Sequence, residues 1–479
     1  MKTYNGMYID GRWRSAARQD GADRRAAVIE VVNPASEQVI ATVPAGDALD
    51  VDAAVRAARA AFRSWYATAP VERAERIAAL SAALSAQRER IVQTVTAELG
   101  SPRAFTEIVS ADLPTRVAGS YAKLLQTYEF AEKVDNSTIH HEAVGVVGAI
   151  TPWNYPLHQI VAKVVPALAV GCTVVLKPAE DTPLVAQLFA EIVDEVGFPP
   201  GVFNLVTGLG PVAGQALAEH PDVDLVSFTG STAVGKQVAL AAAAAVKRVA
   251  LELGGKSANV ILPDADLGRA VTVGIGNVMA NSGQTCSAWT RMLVDADRYE
   301  EAVELAAAAV ANYRPGDPTL PGTRLGPLVN AKQRDRVRGY IAKGIEEGAR
   351  LVAGGIEPPE GLDRGYFVRP TVFADVTPEM TIAQEEIFGP VLSIMRYETE
   401  EQALEIANGT VYGLAGAVWS GDEDKAVAFA RRMDTGQVDI NGGRFNPLAP
   451  FGGYKHSGIG RELGAHGLAE FLHTKSLQF

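Results

Sequence analysis

Five short β-branched runs, at residues 144–151, 173–177, 202–207, 223–229 and 249–253, alternate with amphipathic stretches at 156–170, 183–196, 211–219 and 232–246. No other feature of the chain narrows its fold as far. Strands separated by helical crossovers lie parallel to one another, so the pattern predicts an α/β protein with a doubly wound parallel sheet. Pro156, Pro183 and Pro211 open three of the helical stretches, where a missing backbone N–H costs nothing. Ligands of open sheets gather outside the carboxyl ends of the strands. There the sequence places Asn154 after the first strand, Lys177 at the end of the second, Gly208 and Gly210 after the third, Gly230 and Ser231 after the fourth, and Glu252 at the end of the fifth.

After Gly255 a second series begins, with strands predicted at 259–262 and 291–294 and helices at 270–280 and 299–313. A chain of 479 residues, 47% of them hydrophobic, exceeds one ordinary core, so a second α/β domain is expected. Residues 315–327 and 354–365 are rich in proline and glycine and read as loops. The stretch 120–143 reads as an excursion from the first domain, and the tail at 473–479 as a strand for another sheet edge; both are expected oligomer contacts. The organisation predicted is a dinucleotide-binding domain from 1–119 and 144–254, a catalytic domain at 255–457, and oligomerisation segments at 120–143 and 458–479.

Lysine and arginine number 44 against 56 acids, a net charge of −12, and the basic residues are scattered, which argues against a nucleic-acid partner. The apolar window at 160–170 is interrupted by Lys163 and is too short for a bilayer, so no membrane span is expected. Two cysteines make no disulfide framework, and no secretory signal is evident at the start; the expected compartment is the cytoplasm. No His/Cys grouping has zinc spacing, and no metal is expected.

Cys286 sits in a polar, glycine-containing run, Asn281-Ser282-Gly283-Gln284-Thr285-Cys286-Ser287, unlike Cys172, which opens an apolar strand and reads as an inert buried thiol. A free thiol, with a pKa of roughly 8.5, is a nucleophile only when something stabilises or creates its thiolate. Glu252, a lone acid in an apolar strand end, is the best partner, because burial raises a carboxyl pKa toward that of a usable base. A surface-loop cysteine without chemistry, and an acid that merely caps a turn, remain the plain alternatives. Gly230 to Lys236 resembles a phosphate-binding loop, but Gln237 stands where such loops need a hydroxyl for magnesium. The segment reads instead as a strand-to-helix turn capped by Ser231, with an ordinary capped helix as the alternative.

Taken together, the motifs resemble the aldehyde dehydrogenase superfamily over almost the whole chain: Thr151-Pro152-Trp153-Asn154-Tyr155-Pro156, Lys177-Pro178-Ala179-Glu180, Phe228-Thr229-Gly230-Ser231, Leu251-Glu252-Leu253-Gly254-Gly255-Lys256, Gly283-Gln284-Thr285-Cys286, Glu385-Glu386-Ile387-Phe388-Gly389-Pro390 and Pro450-Phe451-Gly452-Gly453-Tyr454-Lys455. The resemblance implies oxidation of an aldehyde to a carboxylic acid in a homodimer or homotetramer. Cys286 would be the nucleophile, Glu252 the general base of the hydrolytic step, and Asn154 an oxyanion donor. NAD, rather than NADP, is implied as cofactor, held by Thr151, Pro152, Trp153, Lys177, Glu180, Gly210, Phe228, Gly230, Ser231, Val234, Leu253, Gly254, Gln333, Glu386 and Phe388. Glu180 carries that preference, since a carboxylate bonds a free ribose 2′-hydroxyl and repels a 2′-phosphate. Tyr155, Thr285, Ser287, Phe445 and Phe451 are implied to line the aldehyde pocket. The alternatives are a dehydrogenase that passes its acyl group to coenzyme A, a phosphohydrolase, and a cofactor-binding protein without turnover.

Overall fold

The computed structural model of the chain describes residues 2–16 and 28–479; Met1 and residues 17–27, part of the segment assigned to the first domain, lie outside the described residues. Among the described residues, eight strands form one sheet in the order Gly458–Ile459, Arg248–Glu252, Leu225–Thr229, Val146–Ile150, Thr173–Lys177, Phe203–Leu205, Met7–Ile9 and Arg12–Arg14. The five middle strands are parallel and are the five predicted from the sequence. From Val146–Ile150 the chain steps outward on one side to its second and third strands. It then crosses to the other side for the fourth and fifth. The strand order therefore reverses between Val146–Ile150 and Leu225–Thr229, which opens a crevice at their carboxyl ends.

Local chemistry explains where elements begin and end. The helix Pro156–Val170 has the predicted bounds and stops at Gly171 in the left-handed conformation. Residues 211–219 are not one regular helix. Glycines at both ends and a proline at the second position favour a wide π turn, Gly210–Gly214, before the short helix Gln215–Glu219. The alanine-rich helix ends at Ala243, earlier than expected, because Val246 turns left-handed and the Lys247 N–H returns to the Ala242 carbonyl (3.0 Å), aiming Arg248 into the sheet. The helix Leu267–Met279 starts before the predicted residue 270 because the Asp266 side chain caps the Arg269 N–H.

The excursion also begins later than its composition suggests. Leu113–Leu124 is one helix running through position 120, and Val117, Ala118 and Tyr121 on it are buried in the main core. Beyond it, Ala131–Val134 and Ser137–Ala143 pair with each other, and the tail strand Leu472–Gln478 pairs antiparallel with Ser137–Ala143. All four residues of Ala131–Val134 are exposed, at an open sheet edge.

A second sheet runs Arg350–Ala353, Thr371–Ala374, Val391–Tyr397, Arg291–Asp295, Ala258–Ile261, Ala415–Trp419 and Gln437–Ile440, parallel except for its first pair. Buried Arg291 anchors it. Its guanidinium donates to the carbonyls of Lys256 (2.8 Å), Ile406 (2.6 Å) and Ala407 (2.8 Å), the latter two at the C-terminal end of the helix Glu400–Asn408, where a cation complements the helix dipole. Replacing Arg291 by Met orphans three buried carbonyls, so stability should fall by about 3 kcal/mol or more. An unchanged urea midpoint in that variant would contradict the anchor.

Candidate active site

The loop after the strand Val146–Ile150 and the loop before Cys286 bind each other. The Asn154 amide donates to the Gln284 carbonyl (3.0 Å), and the Asn281 amide donates to the Asn154 carbonyl (2.9 Å). One hydrogen of the Asn154 amide remains for another acceptor. The cysteine loop needs an unusual backbone, with Asn281, Ser282 and Gly283 consecutively left-handed at φ 50°, 58° and 74°. A Cβ at Gly283 would stand 2.0 Å from the Gly389 carbonyl oxygen, so no other residue fits. Gln284 is a strut: its side chain donates to the Asn281 carbonyl (3.0 Å) and accepts from the Val329 N–H (2.9 Å).

Glu252 reaches the same place from the end of the strand Arg248–Glu252. The segment behind it passes so close that a Cβ at Gly255 would lie 2.5 Å from the Cys286 carbonyl oxygen. Glu252 is buried, and among the described residues neither carboxyl oxygen has a hydrogen-bond partner. Room for it exists because residue 452 is glycine; a Cβ there would come within 2.6 Å of Oε1. Burial first, and then the Glu462 carboxylate, push the Glu252 pKa well above the ordinary value, while Lys163 opposes the rise. Lys163, on the buried helix Pro156–Val170, donates to Glu462. Cys286 is half-buried, and its surroundings raise its thiol to about 12, through burial first and then the carboxylates of Glu386 and Glu252. The resting side chain is therefore a neutral thiol beside a raised carboxyl group. Cys172 is wholly buried, as its strand position suggested.

Two cavities meet at Cys286. The first, about 110 Å³, lies at the crevice of the first sheet and has Pro152, Trp153, Gly230, Ser231, Leu253 and Gly254 in its walls, together with Gln333, Glu386 and Phe388. Trp153 and Phe388 meet edge to face, centroids 5.3 Å apart. Glu386 accepts from the Gly255 N–H (3.1 Å), and a Cβ on Gly254 would collide with its carboxylate at 2.4 Å. Ser231 caps the helix Thr232–Ala243 by accepting from the Val234 N–H (3.4 Å).

Other predicted cofactor residues stand back from this cleft. Lys177 and Glu180 form an ion pair (3.0 Å) at a neighbouring strand end, and the Gly210 N–H faces the second Glu180 oxygen (3.5 Å). Burial would raise the Glu180 carboxyl, but Lys177 and the backbone donors outweigh it and hold it below its ordinary value. Thr151 is buried, and Val234 lies exposed on the first turn of its helix. Phe228 points into the core and supports Gly230 from beneath, where a Cβ would meet its ring at 2.5 Å; its side chain does not face the cleft.

The second cavity, about 260 Å³, also has Cys286 in its wall, and Tyr155, Thr285, Ser287, Phe445 and Phe451 line it. Tyr155 and Thr285 share a hydrogen bond between their hydroxyls. The sequence reading missed Phe105, His158, Gln437 and Asp439 in these walls, Arg336 in the first cavity, and the Lys163–Glu462 pair. Of these only Lys163 announces itself, as a cation inside an apolar helix. Among the described residues, no group of three His, Cys, Asp or Glu side chains is placed to hold a metal ion, and no helix is long and apolar enough to cross a membrane.

A thiol shared by two cavities, backed by an unpartnered carboxyl group and a spare amide hydrogen, is the geometry of carbonyl chemistry on sulfur. Comparison with known proteins agrees: residues 21–477 match the model of the aldehyde dehydrogenase family. The chain belongs to that family. It is 47% identical to 3-succinoylsemialdehyde-pyridine dehydrogenase of a Pseudomonas species, over 100% of this chain and 99% of the relative. Aldehyde dehydrogenase C of Pseudomonas syringae, solved as a cysteine-to-alanine mutant with NAD+ and octanal, superposes with a TM-score of 0.97 at 47% identity, covering 99% of this chain and 96% of that one. An aldehyde dehydrogenase of Mycobacterium tuberculosis complexed with NAD+ gives 0.96 at 46% identity, covering 100% and 98%. Aldehyde oxidation is the activity of this dehydrogenase, and its mixed α/β architecture is that of the family.

The raised thiol makes a direct prediction for the cofactor-free dehydrogenase. Alkylation of Cys286 by iodoacetamide follows the thiolate fraction, so its rate should be slow at neutral pH and still climbing at about pH 10. Glu252→Gln removes one of the negative charges opposing the thiolate and should speed the reaction at a given alkaline pH. A rate that levels off near neutrality in the unaltered chain would contradict this environment.

Proposed function

We propose that the chain oxidises aldehydes to carboxylic acids with NAD as hydride acceptor, using Cys286 as nucleophile, Glu252 as general base and Asn154 as oxyanion donor. The observation that carries this reading is the position of Cys286 in the walls of both cavities, with a buried Glu252, unpartnered among the described residues, whose charge acts on that thiol. The first cavity suits a dinucleotide. Gly230 and Gly254 allow close approach, the helix Thr232–Ala243 presents its N-terminal amides, and Glu386 and Phe388 frame the end nearest Cys286. Glu180, kept ionised beside Lys177, favours a free ribose 2′-hydroxyl and so NAD over NADP.

Chemistry begins when Glu252 takes the Cys286 proton and the thiolate adds to the aldehyde carbon. The oxyanion of the resulting thiohemiacetal is met by the free Asn154 amide hydrogen and the Cys286 N–H, each donor of this kind lowering a barrier by about 3 kcal/mol. When bound, NAD supplies the hydride acceptor that the oxidation requires. Cys286 then carries the acyl group as a thioester. Glu252 removes a proton from water, the hydroxide adds to the thioester, and the acid leaves as sulfur departs. Lys163 and Glu462, joined by a hydrogen bond beside Glu252, hold charge near the base and modulate its affinity for protons. Hydrolysis, rather than transfer to coenzyme A, follows from that base. A phosphohydrolase is disfavoured because Gly235 is packed against Leu253, where a Cβ would lie 2.4 Å away, and Gln237 offers no magnesium ligand.

The second cavity, aromatic and, among the described residues, without lysine or arginine, fits aldehydes that carry no carboxylate, of which the octanal bound by the Pseudomonas syringae relative is one kind. We place the chain in the cytoplasm, in keeping with two free cysteines, and as a homodimer or homotetramer. The open edge at Ala131–Val134 and the exposed Leu240, Val246 and Ile459 support self-association. In this scheme residues 125–143 and the tail strand Leu472–Gln478 serve association, 1–119 and 144–254 cofactor binding, and 255–457 catalysis, with Leu113–Leu124 belonging to the main core.

Cys286→Ala should abolish NADH formation while leaving NAD binding near its original strength by calorimetry. Glu252→Gln should retain a first-turnover burst of NADH and slow the steady state by about 10²–10⁴. Asn154→Ala should lower kcat by about 10²–10³. Retained turnover in Cys286→Ala would remove the nucleophile assignment, and an unaltered steady state in Glu252→Gln would mean that another base acts.

A further inference from the structure

The aldehyde cavity contains one acid that the chemistry above does not use. Asp439 lies on the strand Gln437–Ile440, the outermost of the second sheet, and lines the cavity that holds Cys286. Residues two apart on a strand share a face, so Gln437 lies alongside it and donates from Nε2 to Asp439 Oδ1 at 3.0 Å. Among the described residues this is the only hydrogen bond to that carboxyl. Among the described residues, no lysine or arginine lines the cavity. His158, the basic side chain in its wall, is held neutral because burial drops its pKa to about 4. Burial also raises the Asp439 carboxyl, with Gln437 opposing the rise.

The chain therefore provides a half-buried acid with an orienting donor and no cation. Leaving such a group unpaired is costly, and a simple hydrophobic tunnel would carry a neutral side chain there. The neighbouring walls, Trp289, Phe445 and Phe451, present aromatic rings to the same space, and aromatic faces also attract cations.

We propose that Asp439, positioned by Gln437, is a specificity-determining residue that favours aldehydes whose far end carries a positive charge and rejects those ending in a carboxylate. This rests on the assignment of the Cys286 cavity as the aldehyde site. The residue touches neither the carbonyl nor the cofactor in this scheme, so it acts on which substrate is chosen and leaves the chemical step alone. An uncharged chain of the same length feels little of it.

The test uses the full-length enzyme, saturating NAD and three aldehydes of matched length ending in a methyl, a trimethylammonium or a carboxylate group. Asp439→Asn should shrink the kcat/KM ratio of the cationic to the anionic substrate by about tenfold or more, equivalent to about 1.4 kcal/mol, mostly through KM. The methyl-ended substrate, which offers that carboxylate no charge, should lose much less than the cationic one. Asp439→Glu, which retains the charge, should keep the original order of preference. A ratio unchanged in Asp439→Asn, or an equal loss on all three substrates, would overturn the proposal. Failure of the unaltered enzyme to turn over even the methyl-ended aldehyde would instead overturn the cavity assignment, and this inference with it.

Discussion

A carboxyl group sealed at the end of a parallel strand, with no hydrogen bond to either oxygen among the described residues, is the constraint around which the rest of this molecule is arranged. Leaving a buried polar group unsatisfied costs roughly 1–3 kcal/mol, so a fold keeps one only where its surroundings enforce it. Here the backbone does so. The Gly230 N–H binds the Glu252 carbonyl (3.0 Å), the Leu253 N–H binds the Ser457 carbonyl (2.9 Å), and the Ser457 hydroxyl binds the Gly254 carbonyl (2.7 Å). These bonds fix the segment from both sides while the side chain stays free. The same desolvation that destabilises the ionised acid raises its affinity for protons, which suits the base role proposed for it.

The second requirement is that two independent sheets deliver their chemistry to one point. The doubly wound sheet contributes Asn154 and Glu252 from two of its strand ends, and the second unit contributes the cysteine loop between Leu267–Met279 and Arg291–Asp295. The junction is closed by reciprocal amide bonds between Asn154 and the 281–284 loop and by the close passage of Gly255 behind Cys286. Three consecutive left-handed residues would be unfavourable in a free loop; packed against Gly389 and strutted by Gln284, they are held rigidly.

Much of this was legible from the chain. Periodicity revealed all five parallel strands of the first sheet, because each is a β-branched run separated by a helix-length stretch. The strand-end rule then isolated Asn154, Lys177, Gly230 and Glu252. The cysteine loop stood out through its polar neighbours, and the motif resemblance joined it to the rest. What remained hidden depends on contacts between distant positions. Lys163 and Glu462 are 299 residues apart, and neither one specifies the other. Asp439 looks like any acid in a strand until the fold turns it toward Cys286. Phe228 belongs to a recognisable motif, yet its side chain serves the core, because strand alternation turns it to the face opposite Thr229, which lines the cleft. Helix ends slipped where a cap or a left-handed residue, such as Asp266 or Val246, overrode the apolar pattern.

In the proposed reaction, aldehyde carbon becomes bonded to the sulfur of Cys286 and waits there for Glu252 to deliver water. Acid quenching of the Glu252→Gln enzyme after mixing with octanal and NAD, followed by peptide mass spectrometry, addresses it most directly. The expected product is a peptide containing Cys286 heavier by the mass of the aldehyde less two hydrogens, with no such adduct on Cys172. An unmodified Cys286 peptide during active NADH formation, or an acyl group on any other side chain, would contradict it.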